Sequence, residues 1–181
     1  GGDLHRSGIV HRLDREASGV IIVARNDSTH AMLKEQFKTR QTEKHYTVLV
    51  LGKVAEPYGT INFPIARSST RSRMAARPLS QEGKEAITHY EVKQRFTTST
   101  LLDVKIETGR TNQIRAHLLA FGLPIVGDTV YASKSVKQKV VLDRPFLHSW
   151  KLGFTDLQGV KISNESPLPI QLQDLLQKLR G

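Results

Sequence analysis

The chain has 181 residues, which suits one domain that buries most of its apolar surface, and it contains no cysteine, which excludes disulfides and thiolate metal sites. Its net charge of +10, from 27 Lys and Arg against 17 Asp and Glu, indicates a polyanionic partner such as nucleic acid, although a merely soluble basic protein is the alternative. No apolar run approaches the ~18 residues of a membrane span and no signal-peptide pattern occurs. We therefore expect a cytoplasmic protein with no membrane association.

The stretch from Gly8 to Arg25 places a charged loop, residues 11–16, between two apolar runs. The second run, residues 20–23, is β-branched at every position and predicts a buried strand. The loop is then held at a sheet edge, where binding and catalytic groups are often found. Asp14 lies close to two arginines in the sequence, and their charge should lower its pKa and keep it ionised. A structural Arg–Asp pair in a turn explains this stretch equally well.

After this loop the sequence predicts one helix, two strands and a basic segment. Asp27-Ser28 predicts the cap of a helix over residues 29–40, and residues 44–51 predict a strand that ends at Gly52. Residues 60–65 predict a short strand that Pro64 confines to an edge. The segment 66–77 carries four arginines and no acid, and we interpret it as a loop or an extended edge.

Two further strands are predicted at residues 86–96 and 100–107, then a helix at 111–121, a strand at 146–154 and a last helix at 169–179 with leucines on one face. No repeat or long linker divides the chain. Strands outnumber helices and several are neighbours in sequence, which predicts an α+β fold with a mixed, largely antiparallel central sheet flanked by helices.

Three segments, in this order, resemble the RNA pseudouridine synthases of the large-ribosomal-subunit and tRNA type, the RluA family. They are His11-Arg12-Leu13-Asp14, Lys44-His45-Tyr46, and the run from Gly109-Arg110-Thr111 to His117-Leu118. Family-like stretches also occur at residues 83–90, 127–131 and 147–149. The resemblance covers nearly the whole chain and implies the pseudouridine synthase catalytic fold. It also implies a single catalytic domain over residues 1–181, which we expect to lack an N-terminal segment and an RNA-binding domain of the S4 type.

The resemblance implies a role for each matching residue. Asp14 matches the catalytic aspartate, Tyr46 the aromatic residue that stacks on the target base and takes part in proton transfer, and Arg115 the basic residue that pairs with the carboxylate. Arg12 matches the arginine that occupies the space of the flipped nucleotide. Asn112 stands where many members carry His, so substrate contacts there should differ. Further RNA contacts are expected from His11, Arg110, Thr111, Asn112, Gln113, Arg67, Arg71 and Arg73, with Lys134, Lys137 and Lys139 as second candidates.

The expected reaction is isomerisation of specific uridines to pseudouridine in structured RNA, either large-subunit rRNA or tRNA, after base flipping. We expect a monomer whose partner is RNA and which needs no cofactor and no metal. Whether Asp14 attacks C1′, attacks C6 or deprotonates the sugar stays open. Structural alternatives are an ion pair at Asp14, a core residue at Tyr46, a solvated helix residue at Arg115 and solvated loop charge at residues 67–77. His117 and His148 are predicted to be packing or hydrogen-bonding residues. The alternative functions are a silent RNA-binding module and a hydrolase that releases free base.

Overall fold

The computed structural model describes residues 8–132 and 142–180. Its elements, in chain order, are β1 (Ser18–Gly19), α1 (Asp27–Lys38), β2 (Glu43–Leu51), β3 (Tyr58–Ile61), β4 (Ile65–Arg67), β5 (Met74–Ala76), β6 (Thr88–Arg95), β7 (Ser99–Ile106), α2 (Gln113–Ala120), β8 (Leu147–Thr155), β9 (Lys161–Glu165) and α3 (Ile170–Arg180). The second candidate group of lysines, Lys134, Lys137 and Lys139, lies outside the described residues.

One seven-stranded sheet organises this part of the chain, with the strand order β1-β8-β2-β7-β6-β3 and β9 added to β8. The pair β1–β8 is parallel, and the other strand pairs of this sheet are antiparallel. Strands β4 and β5 form a separate antiparallel hairpin. The predicted α+β fold with a mixed, largely antiparallel sheet is therefore confirmed.

The core includes both faces of the central strands, since the adjacent residues Val48 and Leu49 of β2 are both fully buried in it. Val104 is also fully buried on the central strands, and Leu118 of α2 joins the same cluster. The leucine face predicted for the last helix packs as expected, since Leu172 is fully buried against these residues. Full burial of one such side chain contributes about 1.5–3 kcal/mol, so the helices are held to the sheet mainly by apolar contacts.

The strand predicted at residues 20–23 is wrong. Regular pairing stops at Gly19, and Ile21 and Val23 are 49% and 53% exposed. The reason is that the chain leaves β8 after two paired residues, and the Ile22 backbone N–H then donates to the ring of His11 instead of to a strand. Val23 keeps an isolated bridge to Ile9. A β-branched composition is thus not sufficient for a strand where the neighbouring strand offers no continuous backbone partner.

Smaller corrections concern caps and the basic segment. Helix α1 is capped by Asn26, whose side chain accepts a hydrogen bond from the Thr29 N–H at 2.9 Å, and not by Asp27-Ser28. The segment 66–77, interpreted as a loop or extended edge, belongs to the β4–β5 hairpin. Strand β9 was not predicted. Within the described ranges, no helix has the length and apolar character needed to cross a membrane.

Candidate active site

The loop that carries Asp14 is fixed to the sheet by the short strand β1. The Val20 N–H donates to the Ser149 carbonyl at 2.9 Å, and the Ala17 N–H donates to the Asp14 carbonyl at 3.0 Å. Gly19 has φ +125°, and a Cβ there would lie 2.1 Å from the Ser149 carbonyl oxygen. Only glycine allows this close approach of the two backbones, so the glycine after the loop sets the position of Asp14 relative to β8.

His11 supports the loop from inside. Its Nε2 accepts the Ile22 N–H at 2.9 Å, and its ring stacks on Phe37 of α1 with centroids 4.7 Å apart and planes 16° apart. Burial, and then the nearby charge of Lys44, lowers the pKa of His11 to about 4. The imidazole is therefore neutral near pH 7, with Nε2 serving as an acceptor within the protein. Because Nε2 already accepts the Ile22 N–H, the RNA contact predicted for His11 would have to use other atoms of its ring.

The start of α2 meets the same loop. Asn112 has a left-handed backbone with φ 53°, and its N–H donates to Asp14 Oδ1 at 3.3 Å. The side-chain amide of Gln113 is buried and saturated: its oxygen accepts from Thr108 and the Arg110 N–H, and its nitrogen donates to Ile87 and Thr88. This amide orders the turn before α2, which leaves it no free hydrogen-bonding position for the RNA contact predicted from sequence.

Asp14 is half-buried, and the net shift of its pKa is upward, opposite to the expectation from its arginine neighbours. Burial is the largest cause and raises the pKa, because desolvation disfavours the charged carboxylate. Arg115, the Asn112 N–H and Arg12 all act in the expected direction and lower the pKa, but together they do not outweigh burial and the smaller contribution of the Asp128 charge, which also raises it. Local sequence shows the arginines, whereas the burial is a property of the fold.

Arg115 is buried, with 5% exposure, and its hydrogen bonds go to Asp128 rather than to Asp14. Its guanidinium also lies 3.6 Å from Glu16 and stacks over Tyr131 at 4.7 Å from the ring centroid. The solvated helix residue considered as an alternative is thereby excluded. The direct pairing expected with Asp14 is absent from the ion pairs of the described residues, and Arg115 reaches Asp14 through its charge, which lowers the pKa of that carboxyl.

Asp128 is the buried carboxylate that sequence reasoning did not assign to the site. It stands in the stretch 127–131, which had been noticed only as family-like. A lone acid in a loop has no periodicity or spacing that marks its partner, so its role is visible only from the tertiary contact with Arg115.

Asp14 and Tyr46 line one cavity of about 420 Å³. Burial raises the pKa of Tyr46 to about 12, the charge of Asp14 adds to this, and a hydrogen bond with Ser149 opposes it. The phenol therefore stays protonated at neutral pH. Most of the residues predicted to form the site line this cavity. Lys44, Phe37 and Arg40 also line it, although they were not predicted as site residues. The predicted lining residues are His11, Arg12, Asp14, Tyr46, Arg110, Thr111 and Gln113.

A second groove, of about 520 Å³, continues from this cavity, since Arg110 and Thr111 line both. Arg67 lines the groove, whereas Arg71 is exposed in the turn between β4 and β5. Arg73 is tied to the loop after α2: its Nη1 donates to the Val130 carbonyl at 2.5 Å, and its guanidinium lies over Tyr131. The three arginines of the hairpin thus lie outside the cavity of Asp14, along a basic surface that begins at its rim.

The two histidines predicted to serve packing do so. His117 is fully buried between the Thr88 hydroxyl and the Phe63 carbonyl, and His148 is held by Ser18 and the Ser166 carbonyl. In the ranges 8–132 and 142–180, no group of three or more His, Asp or Glu side chains is arranged to hold a metal ion.

Residues 3–120 match the family model described as RNA pseudouridylate synthase, and the chain therefore belongs to this family. Among curated relatives, it is 44% identical over 183 residues to the ribosomal large subunit pseudouridine synthase D of Nitrosomonas europaea, covering 97% of this chain and 52% of the relative. It is 38% identical to the chloroplastic RNA pseudouridine synthase 2 of Arabidopsis thaliana, covering 97% of this chain and 47% of that protein. The chain spans about half the length of these relatives.

The fold is also that of solved members. Human RNA pseudouridylate synthase domain containing 1 superposes with a TM-score of 0.79 at 27% identity, covering 96% of this chain and 80% of that one. The corresponding domain-containing-4 protein gives the same TM-score at 25% identity, with 95% and 75% covered.

Proposed function

We propose that the chain isomerises specific uridines to pseudouridine in structured RNA, with Asp14 as the catalytic carboxylate. The observation that carries this proposal is the placement of Asp14 and Tyr46 in one cavity of about 420 Å³, a volume within the usual range of small-ligand sites. The cavity would receive the target nucleotide after it has flipped out of the RNA, because the glycosidic bond is not accessible inside a helix.

In this reaction the bond between C1′ and N1 breaks, a bond between C1′ and C5 of the same base forms, and the C5 proton is released to solvent. A carboxylate can assist this step either by nucleophilic attack or by stabilising positive charge on the sugar. The N–H of Asn112 and the charge of Arg115 favour the ionised form of Asp14 against its burial. Tyr46 would hold the detached base by stacking, which contributes about 1–3 kcal/mol per base. Together these groups retain the uracil while it turns.

The proposed substrate is large-subunit rRNA, since the relative from Nitrosomonas europaea is named for that subunit, with tRNA as the second candidate. The groove lined by Arg67 and Arg110 would follow the phosphate backbone next to the flipped nucleotide. We propose that the protein acts in the cytoplasm, as a monomer, through one catalytic domain and without a cofactor or metal.

The experiment is tritium release from RNA labelled at C5 of uridine, with rRNA and tRNA offered separately to the parent and to Asp14→Asn. The parent should release tritium and the variant should not, whereas Asp174→Asn, on an exposed position of α3, should match the parent. Binding of RNA without tritium release would support the silent binding module instead. Release of free uracil would support the hydrolase, because an isomerase releases no base.

A further inference from the structure

Lys44 is a buried cation that the chemistry above does not use. It is 7% exposed, and it lies on β2 two residues before Tyr46, so the period of the strand places both side chains on one face. Both line the cavity that contains Asp14. Lys44 and the aromatic residue proposed to hold the base thus share one strand face and one cavity.

The ammonium has fewer partners than it can bind. Its Nζ donates to the Glu107 carbonyl at 3.3 Å and lies 5.9 Å from the centroid of Phe37, while no carboxylate of the described residues is within ion-pair distance. The Glu107 side chain is bonded to His89 at 2.7 Å. An ammonium has three N–H donors. One donates to the Glu107 carbonyl, and no hydrogen-bond acceptor for the other two is found among the described residues.

Keeping such a charge out of water is costly unless it is paired. Burial, and then repulsion from Arg40, lowers the pKa of Lys44 to about 8, with Glu107 acting in the opposite direction. The side chain is still mainly protonated at neutral pH. A cation that is buried, underpaired and open to a cavity is best explained by a ligand that brings an acceptor to it.

We infer that Lys44 is a substrate-contacting residue whose ammonium binds a carbonyl oxygen of the flipped uracil; this inference rests on the proposed function. A phosphate is the less suitable partner, because phosphates remain on the RNA backbone at the rim, where the exposed Arg12 already lies. Lys44 instead lies in the interior beside Tyr46. A base stacked on Tyr46 presents its edge, and hence its oxygens, to the neighbouring side chain on the same strand face.

This contact strengthens as the reaction proceeds. When the bond between C1′ and N1 breaks, its electron pair stays with the uracil and spreads over N1 and the carbonyl oxygens, while the positive charge left at C1′ is met by the carboxylate of Asp14. A cation at a carbonyl oxygen therefore stabilises the departing base more than the bound substrate. Removal of one such donor typically lowers kcat by about 10²–10³-fold, so Lys44→Met should reduce the single-turnover rate with little change in RNA affinity.

The test pairs the protein change with a change of the substrate atom. RNAs carrying uridine, 2-thiouridine or 4-thiouridine at the target position are offered to the parent, to Lys44→Met and Lys44→Leu, which keep no donor, and to the control Lys34→Met, whose lysine is exposed on α1. Sulfur accepts hydrogen bonds more weakly than oxygen. One of the thio-substrates should therefore react roughly tenfold more slowly than uridine with the parent and the control, and this penalty should disappear in whichever Lys44 variant retains the parent's circular dichroism spectrum.

Equal thio penalties in the parent and the folded Lys44 variants would overturn the inference, because a residue with a purely structural role does not sense which oxygen the base carries. That outcome leaves the proposed function intact, since the parent still turns over uridine RNA. Absence of turnover by the parent with every RNA would overturn the proposed function and the inference together.

Discussion

The carboxylate of Asp128, which has no solvent exposure, accepts two parallel hydrogen bonds from the guanidinium of Arg115, at 2.6 and 2.8 Å. Its Oδ1 also accepts the N–H groups of Val130 and Tyr131, at 3.0 and 2.8 Å. Arg115 is therefore oriented by a carboxylate that does not face the cavity. Its charge reaches Asp14 without the direct hydrogen bond that the family resemblance implied, and the hydrogen bond found at the Asp14 carboxylate comes from the Asn112 N–H to Oδ1.

We expect Asp128→Ala to destabilise the fold by about 3–5 kcal/mol, because it leaves the buried guanidinium of Arg115 unpaired. Asp128→Asn should cost less, since an amide oxygen still accepts one N–H from the guanidinium. Urea denaturation followed by circular dichroism measures both, and the exposed Asp174→Asn should stay within about 0.5 kcal/mol of the parent. An Asp128→Ala protein as stable as this control would show that the pair does not hold the structure.

At Tyr46, we expect the ring to matter more than the hydroxyl. Tyr46→Leu should lower the single-turnover rate about ten- to hundredfold, because it removes the stacking surface, whereas Tyr46→Phe retains that surface. With its pKa raised to about 12, the phenol is not ionised at neutral pH and does not serve as a base there. The measurement is the single-turnover rate of each variant on one labelled RNA. A Phe variant as slow as the Leu variant would assign the effect to the hydroxyl.

On the opposite face of β2, His45 should make stability depend on pH. Its Nδ1 contacts Asp103 at 2.9 Å and its Nε2 contacts Glu43 at 3.0 Å, an arrangement that favours the doubly protonated ring. Hydrogen bonding to Asp103 is the largest cause that raises the pKa of His45 above its ordinary 6.5. The folded state then holds the proton more tightly than the unfolded state. The resulting stabilisation is complete below pH 6.5 and is lost as pH rises through the folded pKa.

The measurement is the difference in melting temperature between the parent and His45→Gln from pH 5.5 to 8.5. This difference should be largest at the acid end and should shrink as pH rises. Taking the difference removes the contributions of His11 and the other groups common to both proteins. Gln41→Ala, at an exposed position after α1 that carries no titratable side chain, is the control, and its difference from the parent should not change with pH. A difference that does not change with pH would contradict the role assigned to the His45 pair.

Arg71, which is exposed in the turn of the β4–β5 hairpin, should affect the salt dependence of RNA binding. If Arg71 contacts a phosphate, Arg71→Gln should reduce the slope of log K against log salt by about 0.7, the value for one contact with single-stranded RNA. Anisotropy titrations at several KCl concentrations measure the slope. Lys178→Gln, which removes one positive charge from the exposed side of α3, should leave it unchanged. Equal slopes for both variants would show that Arg71 does not contact an RNA phosphate.

Sequence reasoning identified what is local and periodic. The leucine face of α3 and the strands β2, β6, β7 and β8 follow patterns that lie within short stretches, whereas the meeting of Asp14 with Tyr46 was implied by the family resemblance. What it missed depends on distant contacts. The partner of Arg115 is set by Asp128, the burial of Lys44 by the surrounding elements, and the upward pKa shift of Asp14 by desolvation. None of these has a signature in neighbouring residues.

The position of β8 has a consequence for synthesis on the ribosome. This strand lies between β1 and β2, although it follows both of them near the end of the chain. The loop with Asp14 therefore has no neighbouring strand to hold it until Thr155 has left the exit tunnel, by which time β2, β6 and β7 can already have paired with one another. The cavity is therefore completed only after β8 has been synthesised, so a nascent chain that stops short of β8 has no strand to hold the loop with Asp14 in place.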